Sequence, residues 1–215
     1  SENDEFCMDY YFPFVYSNEL STNEQIDIEK HAEKESFAGV CDEMRVGVTL
    51  IFYLQNVADF LAEHRKNIHV KNLYGATLSA LSVEGKILLP IEQKKATKAQ
   101  KNINREKRNK LLAEARDGNE EAIESLTLQD MDTYSAIAKR IMTEDVFTIV
   151  SSSFMPYGIE SDHYSVLAEI LEVEEVINSI TNEKMYFMKV ECNDIIFYVT
   201  INKEDLLGEP AVGRR

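Results

Sequence analysis

The chain has 215 residues, 44% of them hydrophobic and 28% charged, which is the composition of a soluble globular protein with one large domain or two small ones. No apolar run approaches the roughly 20 residues that span a bilayer, and the acidic residues 1–5 are the wrong chemistry for a secretory signal. The net charge of −15 disfavours nucleic acid and anionic membranes as partners unless the cations are segregated on one face.

The three cysteines, Cys7, Cys41 and Cys192, are odd in number, far apart and outside any Cys-x-x-Cys pair. This spacing argues against a disulfide framework or a zinc site and favours a reducing cytoplasm. Each cysteine lies beside apolar residues, so we expect small buried side chains.

The N-terminal stretch is rich in aromatic residues. Within residues 6–12 two sets of side chains alternate: Phe6, Met8, Tyr10 and Phe12 with Cys7, Asp9 and Tyr11. This period of two predicts a strand that ends at Pro13 or lies at a sheet edge. Residues 26–31 fit either a strand or a helix. On a helix, His31 and Glu35 would share a face and could bind a metal, but the neighbouring lysines favour a salt-bridged, solvated surface.

A long buried helix is predicted for residues 45–66, because apolar residues recur at intervals of three and four and cations end the segment. The β-rich first half, residues 45–54, leaves a strand followed by a shorter helix as the alternative. A hairpin is predicted next, with strands at 77–83 and 86–91 and a turn at residues 84–85.

Residues 94–110, here called the basic segment, contain eight cations and one acid, so the rest of the chain carries −22. Because the segment is polar and nearly free of apolar residues, we expect a mobile connector or a solvated helix. It is the one interaction patch that the sequence suggests. Its cations are Lys94, Lys95, Lys98, Lys101, Arg105, Lys107, Arg108 and Lys110.

Residues 104–142 carry signals for two or three helices. Gly118 is placed to follow the first helix, and Asn119 to cap the second. Thr127 would cap a third helix, whose apolar stripe comprises Leu128, Met131, Tyr134, Ile137 or Ala138, and Ile141. After Asp145, β-branched and aromatic residues favour a strand.

Residues 164–206 consist of three β-rich runs separated by two turn signals, which predicts an antiparallel meander. The first turn, residues 178–184, is long, whereas the second, at Asn193 and Asp194, is tight. In the last run, alternation places Ile195, Phe197, Val199 and Ile201 on one face and Ile196, Tyr198, Thr200 and Asn202 on the other.

Four stretches are similar to an uncharacterised family of Firmicutes proteins, classed as a domain of unknown function: residues 28–36, 50–56, 122–128, and 154–158 with the following Tyr164–Leu167. The likeness covers nearly the whole chain. It implies that an N-terminal portion precedes residue 1 and that one or two strands follow residue 215. It implies no catalytic or binding residue.

The meander also resembles, at the level of fold only, the first strands of an OB-type barrel that lacks its closing strands. We therefore predict an α+β protein. Residues 1–91 would form a lobe of strands with a long buried helix, 92–142 a basic and helical connector, and 143–215 the OB-like meander.

Recognisable reactive motifs are absent from the sequence: it contains no phosphate-binding loop, nucleophile elbow, zinc-protease motif or EF-hand. Asp130 and Asp132 resemble a two-carboxylate cation motif, but a carboxylate at a helix start is the favoured interpretation of Asp130. We predict no catalytic residue, no metal ligand and no cofactor. The histidines His31, His64, His69 and His163 do not fall at ligand spacing.

We favour a non-enzymatic cytoplasmic binding protein, whose basic segment docks on its own acidic surface or on an acidic protein partner. One alternative is single-stranded nucleic-acid binding through residues 94–110, with Tyr186, Phe187 and Tyr198 available for stacking. The net charge of −7 on residues 160–215 disfavours it. The other alternative is an enzyme with a carboxylate and histidine site that no motif reveals.

Overall fold

The computed structural model of the chain describes residues 14–30, 36–66, 73–90, 107–108, 110–115, 117–141, 146–158 and 162–215. In chain order the strands are β1 Thr22–Lys30, β2 Phe37–Glu43, β3 Val48–Tyr53, β4 Leu73–Ala76, β5 Ser79–Ser82, β6 Gly85–Lys86, β7 Ser153–Pro156, β8 Tyr164–Leu167, β9 Glu169–Ile177, β10 Lys184–Cys192, β11 Ile195–Asn202 and β12 Leu206–Leu207. The helices are α1 Val57–Lys66, α2 Glu120–Ile141 and α3 Val146–Ile149, and residues 107–108 and 110–115 are also helical.

Some of the sequence predictions concern residues outside these ranges. They are the strand at residues 6–12, the metal pair His31 and Glu35, and the part of the basic segment before residue 107.

Helices occur together with mainly antiparallel sheets, which confirms the predicted α+β class. The chain forms two compact units. One combines residues 1–89 with 152–215, and the other consists of residues 90–151. The division predicted at residues 91 and 142 therefore separates two segments that belong to one unit.

Sheet I is antiparallel, with the strand order β3-β2-β1-β4. One residue from each of three strands is buried in its core: Ile26, Cys41 and Leu50. Since successive side chains of a strand point to opposite faces, this core occupies one face of the sheet. The burial of Ile26 fits the strand assignment that the sequence left open between strand and helix.

Sheet II has the order β5-β11-β10-β9 and confirms the predicted meander from Glu169 onward, since β9, β10 and β11 pair antiparallel in succession. The start of the first predicted run, Tyr164–Leu167, is the separate strand β8, which pairs with β7. Asn193 and Asp194 form its tight turn with φ of 49° and 67°, the left-handed pair that short hairpins require. The buried face agrees with the predicted alternation and comprises Ile170, Met188, Val190, Cys192, Ile195, Phe197 and Ile201.

The two sheets share one interior. Val46, Leu78 and Phe154 pack against the buried residues of both. The chain passes from β4 in sheet I to β5 in sheet II through Thr77 and Leu78.

The predicted hairpin at residues 77–91 is wrong. β5 pairs in parallel with β11, and β6 pairs in parallel with β12. β5 and β6 therefore do not pair with each other. The reason is that Leu78 is held at the crossing between the sheets. Its amide donates to Ser21 Oγ at 2.9 Å, and its carbonyl accepts from the Tyr198 amide at 3.3 Å.

The long helix predicted for residues 45–66 is also wrong in its first half, where β3 pairs with β2 and a helix begins only at Val57. A turn at residues 44–47, with Gly47 at φ 70°, sends the chain back along β2 and buries Leu50. The alternative of a strand followed by a shorter helix is confirmed. In the described part of α1 no residue is fully buried.

The helical unit departs from prediction at two places. α2 runs through Thr127 without a break, and the Thr127 hydroxyl donates to the Ile123 carbonyl at 2.8 Å. Its start is as predicted, because Asn119 Oδ1 accepts from the amides of Glu121 and Ala122. The strand predicted after Asp145 is wrong for Val146–Ile149, which is helical, and correct for Ser153–Met155 within β7.

Sheet closure differs from the OB-like expectation. The described strands form two four-stranded and two two-stranded sheets without a closed barrel. None of the described helices has the length and apolar content needed to cross a bilayer.

Candidate functional site

A shallow pocket of about 280 Å³ lies on the face of sheet II that points away from the core. We call it the sheet-face pocket. It is lined by Glu172, Val173, Glu174, Phe187, Lys189 and Tyr198.

Strand register brings the polar and aromatic side chains of the pocket together. In the β9–β10 ladder, Glu172 is opposite Lys189 and Glu174 is opposite Phe187, while Tyr198 on β11 is opposite Lys189. Directly opposed residues project on the same side of a sheet. The neighbouring positions Met188 and Val190 project into the core.

The floor of the pocket is a stacked pair of aromatic rings. Phe187 and Tyr198 have centroids 5.1 Å apart and planes 15° from parallel. Offset stacking of this kind leaves an electron-rich ring face, which attracts cations. Tyr186 lies one residue from Phe187 and therefore on the opposite face, where Lys203 Nζ is 5.3 Å from its ring centroid.

Carboxylates outnumber cations around these rings. Lys189 Nζ forms an ion pair with Glu19 and lies 3.5 Å from Glu172 Oε1. The hydrogen bond with Glu19 raises the pKa of Lys189, so its ammonium stays protonated. Glu174 also lines the pocket, so three carboxylates lie at or beside it and Lys189 supplies the one ammonium among the lining residues. The excess negative charge is accessible, because the Glu172 side chain is 71% exposed.

A second charged cluster, formed by Glu43 and Arg45, has a structural role. Arg45 donates to both oxygens of the buried Glu43 carboxylate, from Nε at 2.8 Å and from a terminal nitrogen at 2.6 Å. It also donates to the carbonyls of Ser21 and Asp194, both at 2.8 Å. Since these groups satisfy one another, the cluster joins sheet I to the β10–β11 turn and offers no reactive group.

Comparison with known families assigns the chain to a protein family. A family described as "Domain of unknown function, E. rectale Gene description (DUF3881)" matches residues 1–215. The chain belongs to this family. The similarity to an uncharacterised Firmicutes family is thereby confirmed. No match was found among curated proteins or among solved structures.

The basic segment predicted as an interaction patch is only partly described in this member of the DUF3881 family. Lys94, Lys95, Lys98, Lys101 and Arg105 lie outside the described residues. Arg108 lies 3.4 Å from Asp130, with both side chains more than half exposed, and Lys110 Nζ lies 3.8 Å from Glu114. Asp130 thus lies in the middle of α2, where its exposed side chain faces Arg108. The position predicted for it at the start of a helix is wrong.

The cysteines and the acidic residues give no sign of a reactive site in the described part of the chain. Cys41 and Cys192 are buried free thiols, as expected, and burial raises the pKa of Cys192 to about 12. In the described part of the chain, no group of three or more His, Cys, Asp or Glu side chains is placed to hold a metal ion.

The pocket itself was not predicted. The acids of β9 fit the solvated face of an ordinary strand, and Phe187 and Tyr198 fit a buried core as well as a surface. A signal was present in the alternation, because Phe187 and Lys189 share a parity opposite to that of the apolar Met188 and Val190. To tell which side chains of the neighbouring strands meet Phe187 and Lys189, one still needs the register of each strand pair, which the sequence does not give.

Proposed function

We propose that the protein is a non-enzymatic binding protein of the cytoplasm, and that its sheet-face pocket holds a cationic side chain of a basic peptide segment. The observation that carries this proposal is the stacked pair Phe187 and Tyr198 beside an excess of carboxylates. A lysine ammonium or arginine guanidinium gains from both features at once: the ring face attracts the cation, and a carboxylate accepts its hydrogen bonds.

The size and the charge of the pocket favour binding over catalysis. Its volume of about 280 Å³ is close to the lower end of the roughly 300–1,000 Å³ typical of small-molecule sites. Lys189 would need a lowered pKa to act as a nucleophile or a base, whereas the ion pair with Glu19 raises it. A site for one side chain of a partner fits these dimensions.

The same charges disfavour a phosphate ligand at this face. A nucleic-acid strand stacked on Phe187 and Tyr198 would bring its phosphates near Glu172 and Glu174. The rings therefore give no support to the nucleic-acid alternative.

The basic segment of this chain is a ligand of matching chemistry. With eight cations in residues 94–110, it would supply lysine and arginine side chains to an acidic surface. We therefore retain these residues as the proposed interaction patch and propose that the acidic surface they bind includes the sheet-face pocket.

The test compares two variants of equal net charge. Glu172→Gln with Glu174→Gln removes two carboxylates from the pocket, whereas Glu204→Gln with Glu209→Gln removes two exposed carboxylates elsewhere. Labelled oligolysine and oligoarginine peptides are titrated against each protein by fluorescence anisotropy. We expect the pocket variant to bind about tenfold more weakly, equivalent to about 1.4 kcal/mol, because charge-assisted hydrogen bonds are lost.

The control variant should bind like the unmodified protein. Equal weakening in the two variants would show that only the overall charge of the protein attracts the peptide, and the pocket would then have no role.

A further inference from the structure

β9 is an edge strand of sheet II. Near its start, the outward backbone groups of Ile170 already form hydrogen bonds with another part of the chain. The Ile170 amide donates to the Arg214 carbonyl and the Gly213 amide donates to the Ile170 carbonyl, both at 2.8 Å. Beyond Ile170, no strand within the described residues pairs with β9 on its outer side. Unpaired backbone groups along an edge can accept a further strand.

The two faces of this edge differ in charge. Glu172 and Glu174 project toward the sheet-face pocket. Glu175 projects to the other face, where Lys203 Nζ at 2.8 Å and Lys184 Nζ at 3.8 Å neutralise it. On that face Ile177 is also exposed. A peptide at this edge would thus meet anionic surface on one side and neutral or apolar surface on the other.

We propose that the outer edge of β9 binds an extended peptide as an additional strand, with lysine or arginine at alternate positions and uncharged residues between them. This inference rests on the proposed function and adds the mode of binding and the sequence pattern of the ligand. Same-face residues of any strand lie about 6.7 Å apart, so two cations separated by one residue match Glu172 and Glu174. Backbone pairing supplies affinity and the alternating cations supply specificity.

Residues 213–214 already use the outward backbone groups of Ile170. They do so from a turn, with Gly213 at φ 81°, and both hydrogen bonds to Ile170 are formed. The outer side of β9 is therefore accessible to the backbone of another segment at this point. A register shift in the β9–β10 ladder leaves Leu171 without a partner on β10, between Ile170 and the free part of the edge. From Glu172 to Ile177 the ladder is regular, and this part of the edge runs along the acidic side of the pocket.

The first experiment uses two short peptides of identical composition. In one, arginine alternates with valine. In the other, the arginines are grouped together. We expect the alternating peptide to bind the full chain about tenfold more tightly, since only its register matches the two carboxylates. Equal affinities would overturn the inference and leave the proposed function intact. Failure of both peptides to bind would overturn both.

The second experiment tests the backbone pairing directly. N-methylation of the alternating peptide at every second amide removes donors from one edge and leaves the side chains unchanged. One of the two methylation patterns should weaken binding at least about tenfold, while the pattern on the opposite edge should bind as before. Full binding by both methylated peptides would exclude strand addition.

Hydrogen exchange of the full chain provides the matching protein readout. Amides within residues 171–177 that point away from β10 should exchange rapidly in the free protein and slow down with the alternating peptide bound. Slow exchange of these amides before peptide is added would show that the edge is already paired and would contradict the inference.

Discussion

Arg45 connects three parts of the two-sheet unit through one side chain. It pairs with Glu43 at the end of β2, and its remaining donors reach the carbonyls of Ser21 before β1 and Asp194 in the β10–β11 turn. Because the Glu43 side chain has no exposed surface, its charge depends on this partner. Removing one member of a buried pair leaves the other charge uncompensated, which is far more costly than losing a surface ion pair.

Arg45→Met should therefore destabilise the protein by about 3–5 kcal/mol, measured as the free energy of unfolding in urea. Arg108→Met is the matched control, since it removes an arginine from an exposed ion pair and should cost at most about 1 kcal/mol. Adding Glu43→Gln to Arg45→Met should recover part of the loss, because the orphaned charge disappears. Similar losses for Arg45 and Arg108 would contradict the assigned role of Arg45.

The same pair predicts how stability depends on pH. Burial alone would raise the pKa of Glu43, but hydrogen bonds from Arg45 and Thr22 outweigh burial and hold the pKa below its ordinary value of 4.5. The folded state thus binds this proton less tightly than the unfolded state does. The resulting stabilisation is fully present above about pH 4.5 and is lost as the pH falls through the lowered folded-state pKa.

We expect the difference in unfolding free energy between the unmodified protein and Glu43→Gln to shrink as the pH is lowered from about 6 to about 3. Denaturant unfolding at a series of pH values measures this difference. If it stays constant over that range, the carboxylate of Glu43 does not have a lowered pKa.

At the scale of elements, the sequence predicted the strands and turns whose pairing partners are close in the chain. The meander of β9, β10 and β11 follows from period-two alternation and a tight turn, both contained in one stretch of sequence. The helix predicted for residues 45–54 was wrong. The spacing of their apolar residues fits a helix, but these residues gain more by pairing with β2, which buries Leu50 in a strand. Apolar periodicity alone cannot separate these outcomes in a short segment.

The β10–β11 turn offers a test at this scale. Asp194 has φ 67°, a conformation that is costly for a β-branched residue and easy for glycine. Asp194→Val should destabilise the protein by about 1–2 kcal/mol, whereas Asp194→Gly should change the free energy of unfolding by less than about 0.5 kcal/mol. Both variants lose the same carboxylate and keep the carbonyl that accepts from Arg45, so their difference in urea unfolding isolates the backbone term. Equal stabilities would rule out a left-handed residue at this position.

At the scale of the molecule, the sequence could not reveal that β5 pairs with β11. More than a hundred residues separate these strands, and their parallel register brings Ser79 to Tyr198 and Ser82 to Ile201. Nothing in either strand alone specifies the other. The sheet-face pocket escaped prediction for the same reason, because Glu172, Lys189 and Tyr198 meet only through two ladder registers. The charge excess of residues 94–110 is evident from composition alone, since it needs no partner to be recognised, and their role as an interaction patch stays a prediction.

The arrangement of the units predicts that the two-sheet unit folds without residues 90–151. Both four-stranded sheets and their shared core come from residues outside this segment. Replacing it with a flexible glycine–serine linker of about 20 residues, whose root-mean-square span is about 25 Å, should preserve a cooperative urea transition. A non-cooperative transition would show that the sheets need the helical unit.

The linker variant also decides whether the basic segment competes for the pocket within one chain. At an effective concentration of about 1 mM, a tethered segment that binds with a Kd of about 0.1 mM would reduce the apparent affinity for added peptide about tenfold. Deleting it should therefore tighten oligolysine binding by that factor. Glutamine at the eight basic positions of the 215-residue chain should give the same gain, because charge is what the pocket recognises. A gain in the linker variant alone would indicate steric shielding, and no gain in either would exclude intramolecular docking while leaving the pocket available to partners.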